Sequence, residues 1–468
     1  MTIIVVSSKE FKITIPVLII GGGACGLTAA LAASDAGSEV LVLERDLIPH
    51  GSTGMSYGAV GGAGTEIQKQ AGIDDSSQLF FEDIMAITQG KTDPEMARTI
   101  STESGPTLDW LASEHSVNLT IEKAWTGLGH CRPRLHAPVN RSGVTLLSML
   151  ANACEKSGVD VLTGARVDAL FSNNQNEVLG ARFVRPDGTV EEVGCKTLIL
   201  ATCGFGANKA MISEHITEIA DAKYYGHEGN TGDGILWGEA LGGATADMSS
   251  YQALGSLADP QSMVIPHTLL IGGGIQVNQL GKRFENELDD ISGQALTVLE
   301  QPGGICWMVY DQRLHEGALA SFEEYRTAIE IKTASTAADW DELALLIKVP
   351  ASSLHKTISE VNGYISGNTT DPLGRDFLSV RKMQAPYYAI RVTGALFHTQ
   401  GGLCINSDAA VINAKGQPLP NLFAGGGAAR SVSGPGAWGY LPAMGLCTAI
   451  TFGRLAGQSA AKLSRESL

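Results

Sequence analysis

The chain has 468 residues, of which 44% are apolar and 18% charged, and its formal net charge is −16. This length suggests two or three domains with a large core. The negative charge disfavours a nucleic-acid surface, because phosphate binding needs clustered Lys and Arg. The eight cysteines form no CxxC pair and no Cys/His ligand spacing, so we expect reduced thiols and no metal site. The N-terminal apolar runs are too short to span a bilayer and follow no basic region, so we expect a cytoplasmic protein without membrane insertion.

The first predicted unit lies in the segment PVLIIGGGACGLTAALAASDAGSEVLVLERD. It consists of a strand, a Gly-rich turn, a helix and a second strand. Gly21, Gly23 and Gly26 fit G-x-G-x-x-G, in which the glycines allow a tight turn, a close approach to a pyrophosphate and close helix–strand packing. The helix N-terminus then presents free N–H groups to phosphate. Glu44 ends the second strand, where a carboxylate accepts hydrogen bonds from a ribose diol. The pattern predicts a dinucleotide site, and the acid disfavours NADP.

A second Gly-rich loop, residues 51–65, bears on whether the dinucleotide is FAD or NAD. A nicotinamide enzyme would ordinarily continue here with alternating strands and helices, whereas a flavoprotein needs a loop that passes the ribityl chain. Two further strand-to-glycine turns are predicted at 196–211 and 416–430. Three widely separated turns of this kind indicate a cofactor held by one discontinuous domain.

In these segments the chain resembles the fumarate reductase/succinate dehydrogenase flavoprotein superfamily. The resemblance rests on GGGACGLTAALAA, GSTGMSYGAVGGAGT, GNTGDGILWGEALGG, GKRFENE, HTQGGLCINSDAAVI and LPNLFAGGGAARSVSG. It implies an α/β fold in which a discontinuous, Rossmann-like FAD-binding domain carries an inserted α+β capping domain. We place the FAD domain at 1–245 and 394–468 and the cap at 246–393.

The resemblance also implies which residues hold FAD. Membrane-bound relatives attach FAD to a His in a Ser-His-Thr motif, but the segment 51–65 contains no His and His50 is out of register. We therefore expect non-covalent FAD, with Ser52 and Thr53 near the flavin. The other expected contacts are Gly21, Gly23, Ala24, Cys25, Gly26, Glu44, Arg45, Val167, Ala201, Thr202, Gly204, Gly426, Gly445 and Leu446.

The superfamily's fumarate reductases carry four substrate elements: a His-Pro-Thr in the cap, an Arg proton donor after RFxNE, a His in HxTxGG and a late Arg. Here residues 254–256 are Leu-Gly-Ser, residues 289–291 are Asp-Asp-Ile, and Tyr440 stands where the late Arg is expected. His398 alone matches. An acid repels a dicarboxylate instead of donating to it, so fumarate reduction is disfavoured.

The ketosteroid dehydrogenases of the superfamily carry Tyr-x-Gly-x-Gly at the last turn, and GAWGYLPAMGL matches it with a one-residue offset and an inserted Pro442. The resemblance implies that Tyr440 binds a substrate carbonyl, with the N–H of Gly445 or Ala443 as second donor. Such hydrogen bonds acidify the α-carbon. A base then takes the α-proton while the β-hydrogen leaves as hydride. Trp438 is expected to be a wall of the pocket.

The base itself is less well defined. Tyr251 and Asp290 are candidate catalytic residues, and Asp289 is an alternative to Asp290. Tyr251 could instead be a packing residue, and the two aspartates a solvated turn. Tyr57 in the flavin loop is a further candidate hydroxyl at the substrate. His398 is expected at the substrate site as well, because HTQGG enters the FAD domain beside the flavin.

Arg430 lies in the small-residue stretch GGGAARSVSG. It either pairs with a buried acid or the FAD pyrophosphate, or it clamps a substrate carboxylate. The second alternative suggests a keto acid such as 4-oxocyclohexanecarboxylate. We therefore expect a desaturase of a cyclic ketone or keto acid, with 3-ketosteroid dehydrogenation or fumarate reductase-like reduction of an activated alkene as alternatives. Reoxidation would use O2, a quinone or another soluble acceptor. The alternative from a different functional class is a non-enzymatic module that binds flavin or NAD.

In the expected cap, residues 336–376 predict two short amphipathic helices joined by a turn. Residues 303–314 predict a buried strand.

Overall fold

A computed structural model describes residues 2–123 and 126–466. The described chain divides into two compact units. Unit 1 is formed by residues 1–216, 226–251 and 398–468, and unit 2 by residues 217–225 and 252–397, within the described ranges. The chain therefore leaves unit 1 and returns to it, as the predicted discontinuous domain requires. That unit 2 is a cap that closes over a flavin stays a prediction.

The main sheet of unit 1 has nine strands. In spatial order the strands are Thr2–Val5, Arg166–Ser172, Val178–Val184, Val190–Leu200, Thr14–Ile20, Val40–Leu43 and Asp160–Leu162, and Pro418–Ala424 joins Val190–Leu200 and also pairs with Ala410–Ile412. The central strand Thr14–Ile20 is parallel to both neighbours. Its residues 17–19 have no exposed surface, because a parallel sheet is covered on both faces.

The register of this sheet brings four strand ends to one edge. Ile20 pairs with Leu43 on one side and with Leu200 on the other, and Leu200 also pairs with Ala424. Because these strands are parallel, the residues that follow them lie along the same carboxyl edge. Ligands bind at this edge in open α/β sheets.

Helices surround the sheets of unit 1. They are Ala24–Asp35, Gly51–Gly54, Glu66–Gln70, Ser77–Ile87, Pro94–His115, Gly143–Lys156, Lys209–His215, Asp233–Ala240 and Met444–Glu466. Smaller sheets pair Val60–Gly61 and Thr120–Ile121 with Leu135–Ala137, and Thr245–Ala246 with Gly402–Leu403.

Glycines bring the last helix against the first. A Cβ on Gly457 would collide with the Ala29 carbonyl oxygen, and one on Gly453 would lie 2.5 Å from the Cys25 carbonyl oxygen. The spacing of four residues puts both glycines on one helix face. Close packing of Met444–Glu466 on Ala24–Asp35 fixes the start of the last helix relative to the Gly-rich turn.

Unit 2 has a six-stranded sheet around the long strand Tyr387–Thr399. The other strands are Lys223–Tyr224, Tyr251–Ala258, Ile275–Val277, Ile305–Asp311 and Ala334–Ala337. The helices are Thr268–Ile271, Gln294–Leu299, Gln312–Ser321, Glu323–Glu330, Trp340–Ile347 and Ala351–Ile365.

The local predictions for this region are confirmed. Residues 336–376 contain the helices Trp340–Ile347 and Ala351–Ile365, and Ile305–Asp311 is a strand buried along most of its length. Asp339 caps the first helix by accepting from the Glu342 N–H at 2.8 Å, and Lys348 ends it in a left-handed conformation. Among the described helices, none combines the length and apolar composition needed to cross a bilayer.

Candidate active site at the carboxyl edge of the unit 1 sheet

The predicted Gly-rich turn lies at the carboxyl edge of the sheet. Gly21 has φ +108°, and a Cβ there would collide with the Ala201 carbonyl oxygen. A Cβ on Gly26 would collide with the Gly21 carbonyl oxygen. By contrast, a Cβ on Gly23 would meet only Thr53 Oγ1, at 3.4 Å. Two of the three motif glycines are therefore required by the packing of the turn itself, and the third faces open space where a ligand can approach.

Glu44 is held at this turn by backbone donors. Its Oε2 accepts from the Gly22 N–H at 2.6 Å, and its Oε1 accepts from the Asp46 N–H at 2.8 Å. The adjacent Arg45 turns to Asp46, at 3.2 Å, and to His227 Nδ1, at 3.3 Å. Ala165 donates its N–H to the Glu44 carbonyl at 2.8 Å. Val167, two residues later, is buried in strand Arg166–Ser172. The Glu44 carboxylate is thus held at the turn where the sequence predicts a contact with the ribose.

The second Gly-rich loop contacts the first helix. Thr53 Oγ1 accepts from the Ala24 N–H at 3.0 Å. The hydroxyl of Ser52 lies 3.2 Å from Cys203 Sγ and accepts from Asn230 Nδ2 at 2.8 Å. Ser52 and Thr53 therefore connect the loop to both the first turn and the turn after Leu200.

Three small residues complete the edge. Thr202 Oγ1 accepts from the Gly234 N–H at 3.1 Å, and a Cβ on Gly204 would collide with Thr399. Gly426 has φ +60°, and a Cβ there would lie 3.3 Å from the Cys25 Cβ. Cys203 shares this left-handed conformation at φ +63° although it is not glycine.

These residues fit FAD. The first N–H of helix Ala24–Asp35 donates to Thr53 Oγ1, and the next N–H groups of its first turn suit a pyrophosphate. Gly23 leaves space for that pyrophosphate, and Glu44 suits the ribose. Whether the attachment is non-covalent, as the lack of a histidine in 51–65 predicts, stays a proposal.

At the start of the last helix, His398 and Tyr440 come together. Their rings meet edge to face, with centroids 5.7 Å apart and an interplanar angle of 75°. A Cβ on Gly445 would lie 3.3 Å from His398 Cε1 and 3.6 Å from Nε2. Among the described residues, the N–H groups of Gly445 and Leu446 find no hydrogen-bond acceptor, as expected in a first helical turn.

Both rings are electrically neutral near pH 7. Burial lowers the pKa of His398 to about 4, against a smaller opposing effect of the Thr399 backbone. Burial likewise raises the pKa of Tyr440 well above its ordinary value, and a hydrogen bond from the Ala443 backbone opposes the rise. Part of each residue nevertheless stays accessible to solvent. The site therefore offers a phenol proton and a neutral imidazole at a helix N-terminus.

Arg430 is engaged by its own chain. Its Nε donates to Asp247 Oδ2 at 2.6 Å, and its Nη1 donates to Asp93 Oδ2 at 3.1 Å. Two carboxylates thus balance one guanidinium. This pairing favours the structural alternative over a clamp for a substrate carboxylate.

The other candidates have separate positions. Tyr57 lies between helix Gly51–Gly54 and strand Val60–Gly61 and is half-buried. Tyr251 is fully buried at the start of its strand. In unit 2, Asp290 Oδ1 accepts from the Ser292 N–H at 2.9 Å, and burial raises the pKa of Asp290. Asp289 is exposed, as a solvated turn requires.

Two residues at the site were not predicted from the sequence. Gln400 Nε2 lies 3.0 Å from His398 Nδ1, and the Ser433 hydroxyl donates to Gln400 Oε1 at 3.3 Å. Gln400 was visible inside the motif HTQGG, two residues after His398, but Ser433 is 33 residues away in sequence.

Comparison with known proteins agrees with this geometry. Residues 16–440 match the family model of the FAD binding domain. A probable fumarate reductase of Shewanella frigidimarina is 28% identical over 96% of this chain and 75% of its own.

Two solved structures are also similar. The open conformation of a flavocytochrome c3 fumarate reductase superposes with a TM-score of 0.82, at 28% identity over 97% of this chain and 79% of its own. The 3-ketosteroid-Δ4-(5α)-dehydrogenase of Rhodococcus jostii RHA1, in complex with 4-androstene-3,17-dione, superposes with a TM-score of 0.74. The two are 25% identical over 97% of this chain and 98% of the dehydrogenase chain. The chain belongs to the FAD binding domain family of the fumarate reductase/succinate dehydrogenase flavoprotein superfamily and is an FAD-dependent oxidoreductase.

Proposed function

We propose that this oxidoreductase desaturates a saturated cyclic ketone to the α,β-unsaturated ketone. The observation that carries the proposal is the pairing of a protonated Tyr440 with a neutral His398 at the N-terminus of Met444–Glu466. Neutral hydrogen-bond donors at a positive helix end suit an oxygen that gains negative charge during the reaction.

Tyr440 donates to the carbonyl oxygen in this proposal. The Ala443 backbone already bonds the Tyr440 oxygen, so the N–H of Gly445 is the better second donor. Together they stabilise the enolate that forms as the α-proton leaves. A bound FAD would supply the hydride acceptor for the β-hydrogen.

The α-proton must pass to a base of the chain. Asp290, Tyr251 and Tyr57 remain the candidates. The raised pKa of Asp290 makes its carboxylate a stronger base than an exposed aspartate.

The pairing of Arg430 and the residue types after RFENE favour a ketone over a dicarboxylate. Arg430 is balanced by Asp93 and Asp247, and acids follow the RFENE motif at 289 and 290. A dicarboxylate needs uncompensated cations. The same pairing weakens the case for a keto acid, so 4-oxocyclohexanecarboxylate is one test ligand among cyclic ketones.

A second candidate is reduction of an activated alkene. The fumarate reductase names of its relatives favour this direction. The ketosteroid dehydrogenase, of which the match covers 98%, favours oxidation of a ketone. The electron acceptor, whether O2, a quinone or another soluble acceptor, and the cytoplasmic location remain proposals.

The test is anaerobic mixing of the oxidised holoenzyme with a panel of ligands. Cyclohexanone, 4-oxocyclohexanecarboxylate and a 3-ketosteroid are compared by bleaching of the oxidised-flavin absorbance. We expect bleaching by at least one ketone, and a preference for the keto acid would restore a carboxylate site. If none of the ketones bleaches the flavin, the proposal is wrong.

A further inference from the structure

Gln400 joins His398 to Ser433 in unit 1. The side-chain nitrogen of Gln400 lies 3.0 Å from His398 Nδ1, and Gln400 Oε1 accepts from the Ser433 hydroxyl at 3.3 Å. Gln400 is only 3% exposed and Ser433 only 2%. The backbone of Gln400 is also fixed, because its N–H donates to the Ser250 carbonyl at 2.8 Å and its carbonyl accepts from Ser431 at 2.9 Å. This short chain of groups has little freedom to rearrange.

The hydrogen bonds decide which ring nitrogen carries the proton. An amide nitrogen only donates, so His398 Nδ1 must accept and the proton of the neutral ring is on Nε2. The reverse amide orientation would leave the buried Ser433 hydroxyl proton without an acceptor among the described residues, which is unfavourable. Nε2 is the nitrogen beside Gly445, 3.6 Å from a Cβ built there.

We propose that Gln400 is a positioning residue that fixes the proton of His398 on Nε2, so that His398 donates a hydrogen bond to the substrate and does not take its α-proton. The part that concerns the substrate rests on the proposed function. The tautomer itself is a property of the resting enzyme. Tyr440 is the titratable group in ring contact with His398, and it stays uncharged near pH 7 because burial raises its pKa.

The tautomer is measured by nitrogen NMR of the holoenzyme labelled with 15N-histidine, with His398 assigned by its loss in His398→Asn. We expect a protonated-type signal for Nε2 and an unprotonated-type signal for Nδ1. In Gln400→Glu the carboxylate accepts a hydrogen bond from a protonated Nδ1, so the pattern inverts or the ring becomes doubly protonated. Gln417→Glu is the matched control, because Gln417 is exposed in the same unit and the charge change is identical.

Flavin reduction by the ketone supplies the second measurement. In Gln400→Glu we expect the rate to fall about 10-fold or more, as when one oxyanion donor is removed. The rate should also gain a pH dependence near neutrality, because the new charge raises the His398 pKa from about 4 toward its ordinary value. The Gln417→Glu control should keep the parent spectrum and rate.

The outcomes separate the two proposals. An Nδ1-protonated His398 in the parent enzyme, or an unchanged spectrum in Gln400→Glu, overturns the role of Gln400. An Nε2-protonated ring in an enzyme that no ketone reduces would leave the positioning role intact and contradict the proposed function alone.

Discussion

The rings of His398 and Tyr440 meet edge to face, 5.7 Å between centroids, beside the first turn of Met444–Glu466. The two residues are 42 positions apart in sequence (440 − 398). Their contact places two neutral donors at a positive helix end. The proposed chemistry depends on this arrangement more than on any other in the molecule.

Removing the Tyr440 hydroxyl tests its role directly. In Tyr440→Phe we expect ketone-dependent flavin reduction to slow by about 10²-fold, because one donor to the enolate oxygen is lost. Stopped-flow absorbance of the holoenzyme measures the rate. Tyr364→Phe is the control, since this ring packs on Phe377 in unit 2, and it should keep the parent rate. An unchanged rate in Tyr440→Phe would reduce Tyr440 to a packing residue.

Gly23 separates the needs of the fold from the needs of FAD. Its φ of −78° suits alanine, and a Cβ would meet only Thr53 Oγ1 at 3.4 Å. We therefore expect Gly23→Ala to keep the stability of the apoprotein while FAD affinity falls about 10-fold or more, a loss of roughly 1.4 kcal/mol. Fluorescence titration with FAD and thermal unfolding of the apoprotein give the two values.

Two glycine variants calibrate that result. A Cβ on Gly317, in helix Gln312–Ser321, would meet nothing within 4 Å. Gly317→Ala should therefore retain both the FAD affinity and the stability of the apoprotein. Gly26→Ala would collide with the backbone of Gly21, so both FAD binding and the stability of the apoprotein should be lost. Unimpaired FAD binding by Gly23→Ala would show that the pyrophosphate does not approach this turn.

Glu285 predicts a pH-dependent stability. Its Oε2 accepts from the Thr297 hydroxyl, while Oε1 is buried without a partner among the described residues. Burial, with Glu287 and Asp290 nearby, raises the pKa of Glu285 from 4.5 to about 8. Both states are protonated below pH 4.5, and stability is lost as the pH rises from there to about 8, because only the unfolded state ionises freely.

Glu285→Gln should therefore be more stable than the parent at pH 9, by on the order of 1–3 kcal/mol, and nearly equal to it at pH 4. Urea unfolding at the two pH values measures the difference. Glu300 is exposed and directly follows helix Gln294–Leu299, which contains Thr297. Glu300→Gln should therefore show no such change in stability. An equal effect of Glu285→Gln at both pH values would contradict a buried, protonated Glu285.

Cys203 predicts that two substitutions at one position differ in stability. Its φ of +63° is left-handed, a conformation that disfavours any residue with a Cβ by about 1 kcal/mol relative to glycine. Cys203→Gly and Cys203→Ala both remove the contact of Sγ with Ser52, and only glycine relieves the backbone. We expect the glycine variant to be more stable than the alanine variant by about 1 kcal/mol in urea unfolding. Equal stabilities would mean that the backbone relaxes around residue 203.

The dinucleotide turn was predictable because its determinants are local. Gly21 and Glu44 directly follow strands Thr14–Ile20 and Val40–Leu43, which pair in register. Gly26 lies in the first turn of the helix between these strands, so the spacing of the motif alone places all three residues at one sheet edge. The helices at 340–347 and 351–365 were predictable for the same reason, since their caps and periodicity are contained in the segment.

The ion pairs of Arg430 could not be predicted in this way. Asp247 and Asp93 are 183 and 337 residues away, so only the folded chain shows that two carboxylates balance the guanidinium. The contact of Gln400 with Ser433 depends on the same long-range folding. Residue types indicated the chemistry available at the site, and tertiary contacts decide which groups are free to use it.

We propose above all that the enzyme oxidises a saturated cyclic ketone. The most direct measurement is an anaerobic single turnover of the oxidised holoenzyme with the ketone that bleaches it fastest, followed by quantification of the product. We predict one α,β-unsaturated ketone formed per flavin reduced, and slow reoxidation of the reduced enzyme by fumarate. Fast reoxidation by fumarate, with no unsaturated ketone formed from any of the saturated substrates, would contradict the proposed oxidation of a cyclic ketone.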